Sequence, residues 1–103
     1  MGQFVRICGI ADLPAEGTVA EIRAGNLTLC LANVGGTISA LNNVCPHRQG
    51  PLGQGTVEEG HVICPLHAWA FHAATGAYAH KPQESVQVYS VKILGQDVLA
   101  DIG

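Results

Sequence analysis

Turn-forming residues interrupt this chain at intervals of about ten residues, and short runs rich in apolar and β-branched residues lie between them. The turns carry residues that tolerate the positive φ angles of tight hairpins: AGN (24–26), GG (35–36), EEG (58–60), ATG (74–76) and GQD (95–97). The predicted strands are Phe4–Cys8, Thr18–Arg23, Leu27–Asn33, Thr37–Leu41, His61–Ile63, Trp69–His72, Val86–Ile93 and Val98–Ile102. This pattern predicts an all-β, almost entirely antiparallel fold of the sandwich or barrel kind.

Length and composition narrow the class of protein further. A chain of 103 residues with 48% hydrophobic and 13% charged residues is expected to form one folded domain over residues 1–103. The mild net charge of −3 argues against nucleic-acid binding. We find neither a membrane-length apolar run nor an export signal, so we expect a cytoplasmic protein that does not bind membranes. In that compartment the four cysteines are expected to be thiols or metal ligands rather than disulfides.

Two loops, at about 44–55 and 63–69, break the strand pattern, and each has a Cys-Pro pair near its start. The segment between them, TVEEGHVI (56–63), is predicted to form a hairpin. Because a hairpin brings its two ends together, we expect the two loops to face each other. Each loop contributes one cysteine and one histidine, and the four candidate metal ligands are Cys45, His47, Cys64 and His67.

Two thiolates and two imidazoles on facing turns suit either a tetrahedral zinc site or an iron–sulfur cluster with mixed ligands. Structural zinc sites commonly pair cysteines at short spacing and histidines separately. Here each loop has one cysteine followed by one histidine. This pattern favours a two-iron cluster in which both cysteine sulfurs bind one iron and both histidine nitrogens bind the other.

The segments CPHRQGPLGQG and CPLHAWAFHAATG resemble the cluster-binding signature of Rieske-type [2Fe–2S] proteins. The resemblance covers roughly residues 40 to 102. It implies a Rieske-type β-sandwich or barrel with a small cluster-binding subdomain made of the two loops, and one [2Fe–2S] cluster as cofactor. It also implies the ligand roles: Cys45 and Cys64 on the inner iron, His47 and His67 on the outer iron.

Departures from one branch of that family bear on the reduction potential. Rieske proteins of cytochrome bc complexes carry an extra cysteine in each loop and join them in a disulfide, whereas this chain has Gly50 and Leu66 there. They also place serine and tyrosine hydroxyls near the cluster, where this chain has Trp69 and Phe71. Because fewer donors stabilise the reduced cluster less, we expect a potential of about −150 mV rather than about +300 mV.

The resemblance implies an electron carrier, not an enzyme, with no catalytic residues and no small-molecule substrate. It would take electrons from a flavoprotein reductase and pass them to a terminal, ring-hydroxylating-type oxygenase. Such oxygenases hold a mononuclear iron in a further domain, for which 103 residues leave no room. Two alternatives stay open: a small Rieske-like subunit of an assimilatory nitrite reductase, with the large subunit as acceptor, and a structural zinc-binding module.

Four further residues have simpler expected roles. Cys8 and Cys30 lie in strand-like apolar runs and are predicted to be buried as small apolar side chains. Trp69 and Phe71 alternate on one predicted strand and are expected to fill the core or support the cluster.

Overall fold

A computed structural model of the chain describes residues 3–45, 50–66, 68–81 and 83–102. Within them all regular structure is antiparallel strand apart from two short 3-10 turns, Ile10–Asp12 and Leu52–Gln54. The strands are β1 Phe4–Gly9, β2 Val19–Ala24, β3 Leu27–Val34, β4 Thr37–Asn42, β5 Thr56–Glu58, β6 His61–Ile63, β7 Ala70–His72, β8 Val88–Tyr89, β9 Val91–Leu94 and β10 Asp97–Asp101. The predicted all-β antiparallel class is confirmed. No helix in the described ranges is long and apolar enough to cross a membrane.

The strands form three sheets, with strand orders β1-β10-β9, β2-β3-β4-β8 and β5-β6-β7. Strand β3 is central to the second sheet and is buried on both faces, which explains its nearly continuous apolar run LTLCLANV. Leu31 on one face packs with Val98 of the first sheet. Cys30 on the other face packs with Val62 and Phe71 of the third sheet. The second sheet is therefore the middle of three layers.

The third sheet is formed by an excursion of the chain, a stretch that leaves the second sheet after β4 and returns to it at β8. In the chain it lies between β4 and β8, yet those two strands are hydrogen-bonded neighbours, with Leu41 opposite Val88. Just beyond them, the Asn42 N–H donates to the Gln87 carbonyl at 2.8 Å. The chain therefore leaves the second sheet and re-enters it at one place, and both candidate metal-binding loops lie on this excursion.

The hairpin predicted for TVEEGHVI is confirmed, with Thr56 opposite Ile63 and Glu58 opposite His61. The prediction of a single strand over Val86–Ile93 is wrong. The structure divides it at Ser90, because β8 pairs with β4 of the second sheet whereas β9 pairs with β10 of the first. A strand that switches sheets must bend at a corner, and the run VQVYSVKI contains no glycine or proline to mark that bend.

Candidate metal centre

The two cysteines predicted as ligands lie beside each other in the core. Cys45 follows β4 and Cys64 directly follows β6, and both are buried, with 0% and 1% of their surface exposed. Their thiols are close enough to interact with each other. Both are free thiols. The other two candidate ligands, His47 and His67, lie outside the described residues.

Both loops are closed at their base in the same way, through the amide of the cysteine itself. The Cys45 N–H donates to the carbonyl of Gly50 at 2.9 Å, and the Cys64 N–H donates to the carbonyl of Trp69 at 2.8 Å. In each case the acceptor is the fifth residue after the cysteine, and the candidate histidine falls between the two in sequence. The matching closures place the two cysteines at equivalent positions at the start of the two loops.

The described parts of the two loops face each other, as the hairpin prediction required. A Cβ atom added to Gly50 would lie 2.8 Å from Cys64 Sγ and 3.2 Å from Leu66 Cγ, so a glycine is needed for the loops to approach this closely. Positions 50 and 66 are thus in contact, and at this place the chain has a glycine against a leucine rather than two cysteines.

Burial raises the pKa of the Cys64 thiol, because a thiolate loses hydration in the core, and the neighbouring Cys45 raises it further. The Leu66 N–H donates to Cys64 Sγ at 3.4 Å and acts in the opposite direction. Two buried thiols, a backbone donor and a close approach of the two loops at a glycine form a site suited to iron or zinc. The donor set therefore fits the cluster that the resemblance implies.

The remaining cysteines are buried elsewhere, as predicted. Cys8 packs near Val98, and burial raises its pKa. Cys30 lies in β3, where burial, with a smaller effect of Glu21, raises its pKa to about 12. Such a thiol stays protonated and inert at neutral pH. Among the described residues no group of three or more histidine, cysteine, aspartate or glutamate side chains is arranged to hold a metal.

An aromatic stack supports the second loop. The Trp69 ring lies parallel to that of Tyr78 with 3.9 Å between ring centroids, and Phe71 is fully buried beside them. The core role expected for Trp69 and Phe71 is therefore confirmed. Tyr78 was not predicted to have this role, because nothing in the sequence pairs it with a tryptophan nine positions earlier.

A polar network that was not predicted from the sequence supports the first loop. Asn43, two residues before Cys45, is the buried polar residue of the described core. Its side chain donates to Glu21 Oε2 at 2.7 Å and accepts from the Gly53 N–H at 2.6 Å. No sequence pattern indicated that Asn43 is buried or that its partner lies on β2.

Comparison with known proteins agrees with this arrangement. Residues 3–93 match the family described as Rieske [2Fe-2S] domain. The chain is 34% identical over 101 residues to the ferredoxin component of the naphthalene 1,2-dioxygenase system of Pseudomonas aeruginosa, with 97% of this chain and 96% of that protein covered. It is 33% identical over 97 residues to the 3-phenylpropionate/cinnamic acid dioxygenase ferredoxin subunit of Escherichia coli K12, with coverages of 92% and 90%.

Solved structures show the same fold. A ferredoxin of Sphingomonas yanoikuyae B1 superposes with a TM-score of 0.86 at 26% identity, covering 98% of this chain and all of that one. A chain from the complex of reduced oxygenase and oxidized ferredoxin in carbazole 1,9a-dioxygenase gives 0.81 at 27% identity, with coverages of 95% and 92%. Dicamba monooxygenase shares the fold alone, at 22% identity and a TM-score of 0.86, over 99% of this chain and 34% of its own.

Proposed function

Because this chain belongs to the Rieske [2Fe–2S] family, we propose that it takes single electrons from a flavin-dependent reductase and delivers them to a terminal, ring-hydroxylating-type oxygenase. The Rieske-type [2Fe–2S] cofactor is confirmed by the family, and the role of electron carrier rather than enzyme is confirmed by relatives that are ferredoxin components. The structural zinc module is set aside for the same reason. We further propose that residues 1–103 act as one cytoplasmic domain.

The proposed ligands are Cys45 and Cys64 for one iron and His47 and His67 for the other. The support for this set is the burial of two adjacent thiols and the equivalent closure of the two loops, each around a histidine in sequence. When bound, the cluster supplies reversible one-electron transfer and no bond chemistry. The chain holds it, excludes water with the apolar core around the cysteines, and offers the Leu66 N–H to a ligating sulfur.

The choice of acceptor rests on the systems to which the similar proteins belong. Two ferredoxin components of aromatic dioxygenase systems align with more than nine-tenths of this chain. The alignments also cover at least nine-tenths of each relative, so the similarity is not confined to the cluster-binding motif. A terminal oxygenase is therefore proposed as the acceptor, and a sirohaem nitrite reductase is the competing outcome in the test.

Reconstitution tests this function. We expect the protein, matured with iron and sulfide, to be brown, to give a rhombic EPR signal on reduction, and to restore product formation by an aromatic-ring dioxygenase supplied with NADH and a flavin-dependent reductase. The same mixture without the chain is the control. Coupling to a sirohaem nitrite reductase in place of the oxygenase would contradict the proposed acceptor, and a colourless protein would contradict the proposal entirely.

Replacing His67 by cysteine is expected to lower the midpoint potential, because an anionic thiolate then stands where a neutral imidazole did. The wild-type midpoint should lie below zero, near about −150 mV, and the variant should move towards the value of about −400 mV of all-cysteine ferredoxins. Protein-film voltammetry measures both. The matched control is His72→Ala, which alters an exposed histidine of β7 and should leave the midpoint in place. An unchanged midpoint in a His67→Cys protein that still holds its cluster would refute the charge argument.

A further inference from the structure

The first loop is tied to the second sheet through every polar group of one residue, Asn43. Its side-chain oxygen accepts from the Gly53 N–H and its side-chain nitrogen donates to Glu21. Its main-chain N–H donates to the Thr28 carbonyl at 3.1 Å, and its carbonyl accepts from the Leu52 N–H at 2.8 Å. Asn43 thus joins β2, β3 and the 3-10 turn of the first loop at one point.

Glu21 completes this connection from the side of β2. One carboxylate oxygen accepts from Asn43 at 2.7 Å, and the other accepts from the Gln54 side chain at 3.2 Å. Glu21 is mainly exposed, so its carboxylate keeps solvent contact while its two oxygens bridge the loop. A carboxylate acceptor makes these bonds stronger than bonds between neutral groups.

The loop and β2 are also in very close contact. A Cβ atom on Gly53 would overlap the Glu21 side chain and would lie 2.8 Å from Asn43 Oδ1 and 3.0 Å from the Glu21 nitrogen. There is no space for the loop to move closer to β2, and the hydrogen bonds prevent it from moving away. The position of the loop is therefore set from both directions.

We propose that Asn43 and Glu21 are positioning residues of the cluster site: their hydrogen bond fixes the first loop against β2 and so holds Cys45 opposite Cys64. This inference rests on the proposed ligand set. It assigns a role to two side chains that are not ligands, one of them on a strand far from the loops in sequence. Loss of the bond should loosen the cluster without unfolding the sheets.

The chemistry of the pair allows a test by exchange of its two partners. In Asn43→Asp the acceptor for the Gly53 N–H is retained, but two carboxylates now face each other and repel. In the double variant Asn43→Asp with Glu21→Gln, the new amide on β2 can donate to the new carboxylate. The double variant carries the same total charge as the wild type, with donor and acceptor exchanged.

The experiment measures loss of the visible chromophore from the holoprotein in the presence of an iron chelator at pH 8, together with the EPR spectrum of the reduced form. We expect Asn43→Asp to lose its cluster about tenfold faster, since a hydrogen bond to a charged group is lost. We expect its EPR signal to change as well. The double variant should return both towards the wild type. Equal rates in the wild type and Asn43→Asp, or no recovery in the double variant, would overturn the proposal.

The matched control is Asn33→Asp, at the opposite end of β3. The Asn33 side chain likewise accepts one main-chain N–H, from Gly36 at 2.9 Å, and donates to one carbonyl, of Pro14 at 3.0 Å. Its substitution should affect stability alone and leave the EPR signal and the chelation rate unchanged. An equal effect of Asn33→Asp on the rate would show general destabilisation and would overturn the positioning role.

Hydrogen exchange by mass spectrometry separates failure of this inference from failure of the proposed function. A wild-type protein that binds no cluster would contradict the proposed function, whatever the variants do. The position of the loop is then read from the backbone amides of residue 50 and residues 52–55. Faster exchange in Asn43→Asp with recovery in the double variant supports the fixing of the loop, and exchange at the wild-type rate in both overturns it.

Discussion

Replacing Cys64 by serine is expected to give a colourless protein that holds no [2Fe–2S] cluster and shows no EPR signal on reduction. A serine hydroxyl remains protonated at neutral pH and is a poor ligand for this cluster, so one iron loses half of its proposed protein ligands. The buried Cys45 thiol cannot compensate, because it already serves the same iron in the proposed site. Visible absorption and bound iron and sulfide after maturation measure the effect.

The chain offers a close control for this substitution in Cys30. This thiol is as fully buried as that of Cys64 and belongs to the same hydrophobic cluster, but it lies within β3 and has no proposed ligand role. Cys30→Ala should retain the colour and the EPR signal with only a loss of stability. A brown Cys64→Ser protein with an unaltered Rieske spectrum would contradict the ligand assignment.

Replacing Gly76 by alanine is expected to lower the stability of the protein strongly. Gly76 has a φ of +77°, and a Cβ atom there would overlap the carbonyl oxygen of Val86. The N–H of the same residue, Val86, donates to the Gly76 carbonyl at 2.9 Å. The Gly76 N–H in turn donates to the His72 carbonyl at 2.7 Å. Left-handed strain and loss of the link to Val86 together are expected to lower the free energy of unfolding by about 3 kcal/mol.

Gly25→Ala separates the two causes. Gly25 also has a left-handed backbone, with a φ of +61°, but nothing lies within 4 Å of its added Cβ atom. Its substitution should therefore lower the free energy of unfolding by only about 1 kcal/mol. Urea denaturation of the holoproteins gives both values. Equal losses in the two variants would show that the contact with Val86 contributes nothing.

The strands could be predicted because local signals specify them. Glycine-containing turns bound the hairpins, and the buried run of β3 contrasts with the more mixed strands around it. The bend at Ser90 was not predicted, because the run VQVYSVKI contains no glycine or proline and the bend depends on which sheet each half joins. The pairing of strands, not their composition, determines that corner.

For the candidate site, the sequence indicated the metal ligands but not the residues that hold the two loops in place. Cysteine and histidine spacing led to Cys45 and Cys64, which the structure brings together. The histidine ligands stay predictions. Glu21 and Tyr78 could not be predicted, because each supports a loop through a tertiary contact that no sequence spacing indicates. A carboxylate on an exposed strand position has the same sequence context whether or not it has a partner.

The excursion that carries both loops starts and ends at adjacent, hydrogen-bonded residues, Asn42 and Gln87. Its two ends are therefore already as close as the ends of a tight turn, so a different stretch of chain can join β4 to β8 at the same place. In an architecture of this kind, a redox unit is inserted at one junction between two neighbouring strands, and the underlying sheets hold it in place. The side chains of the second sheet that contact this unit, such as Cys30 in the core and Glu21 at the first loop, have to be kept with it.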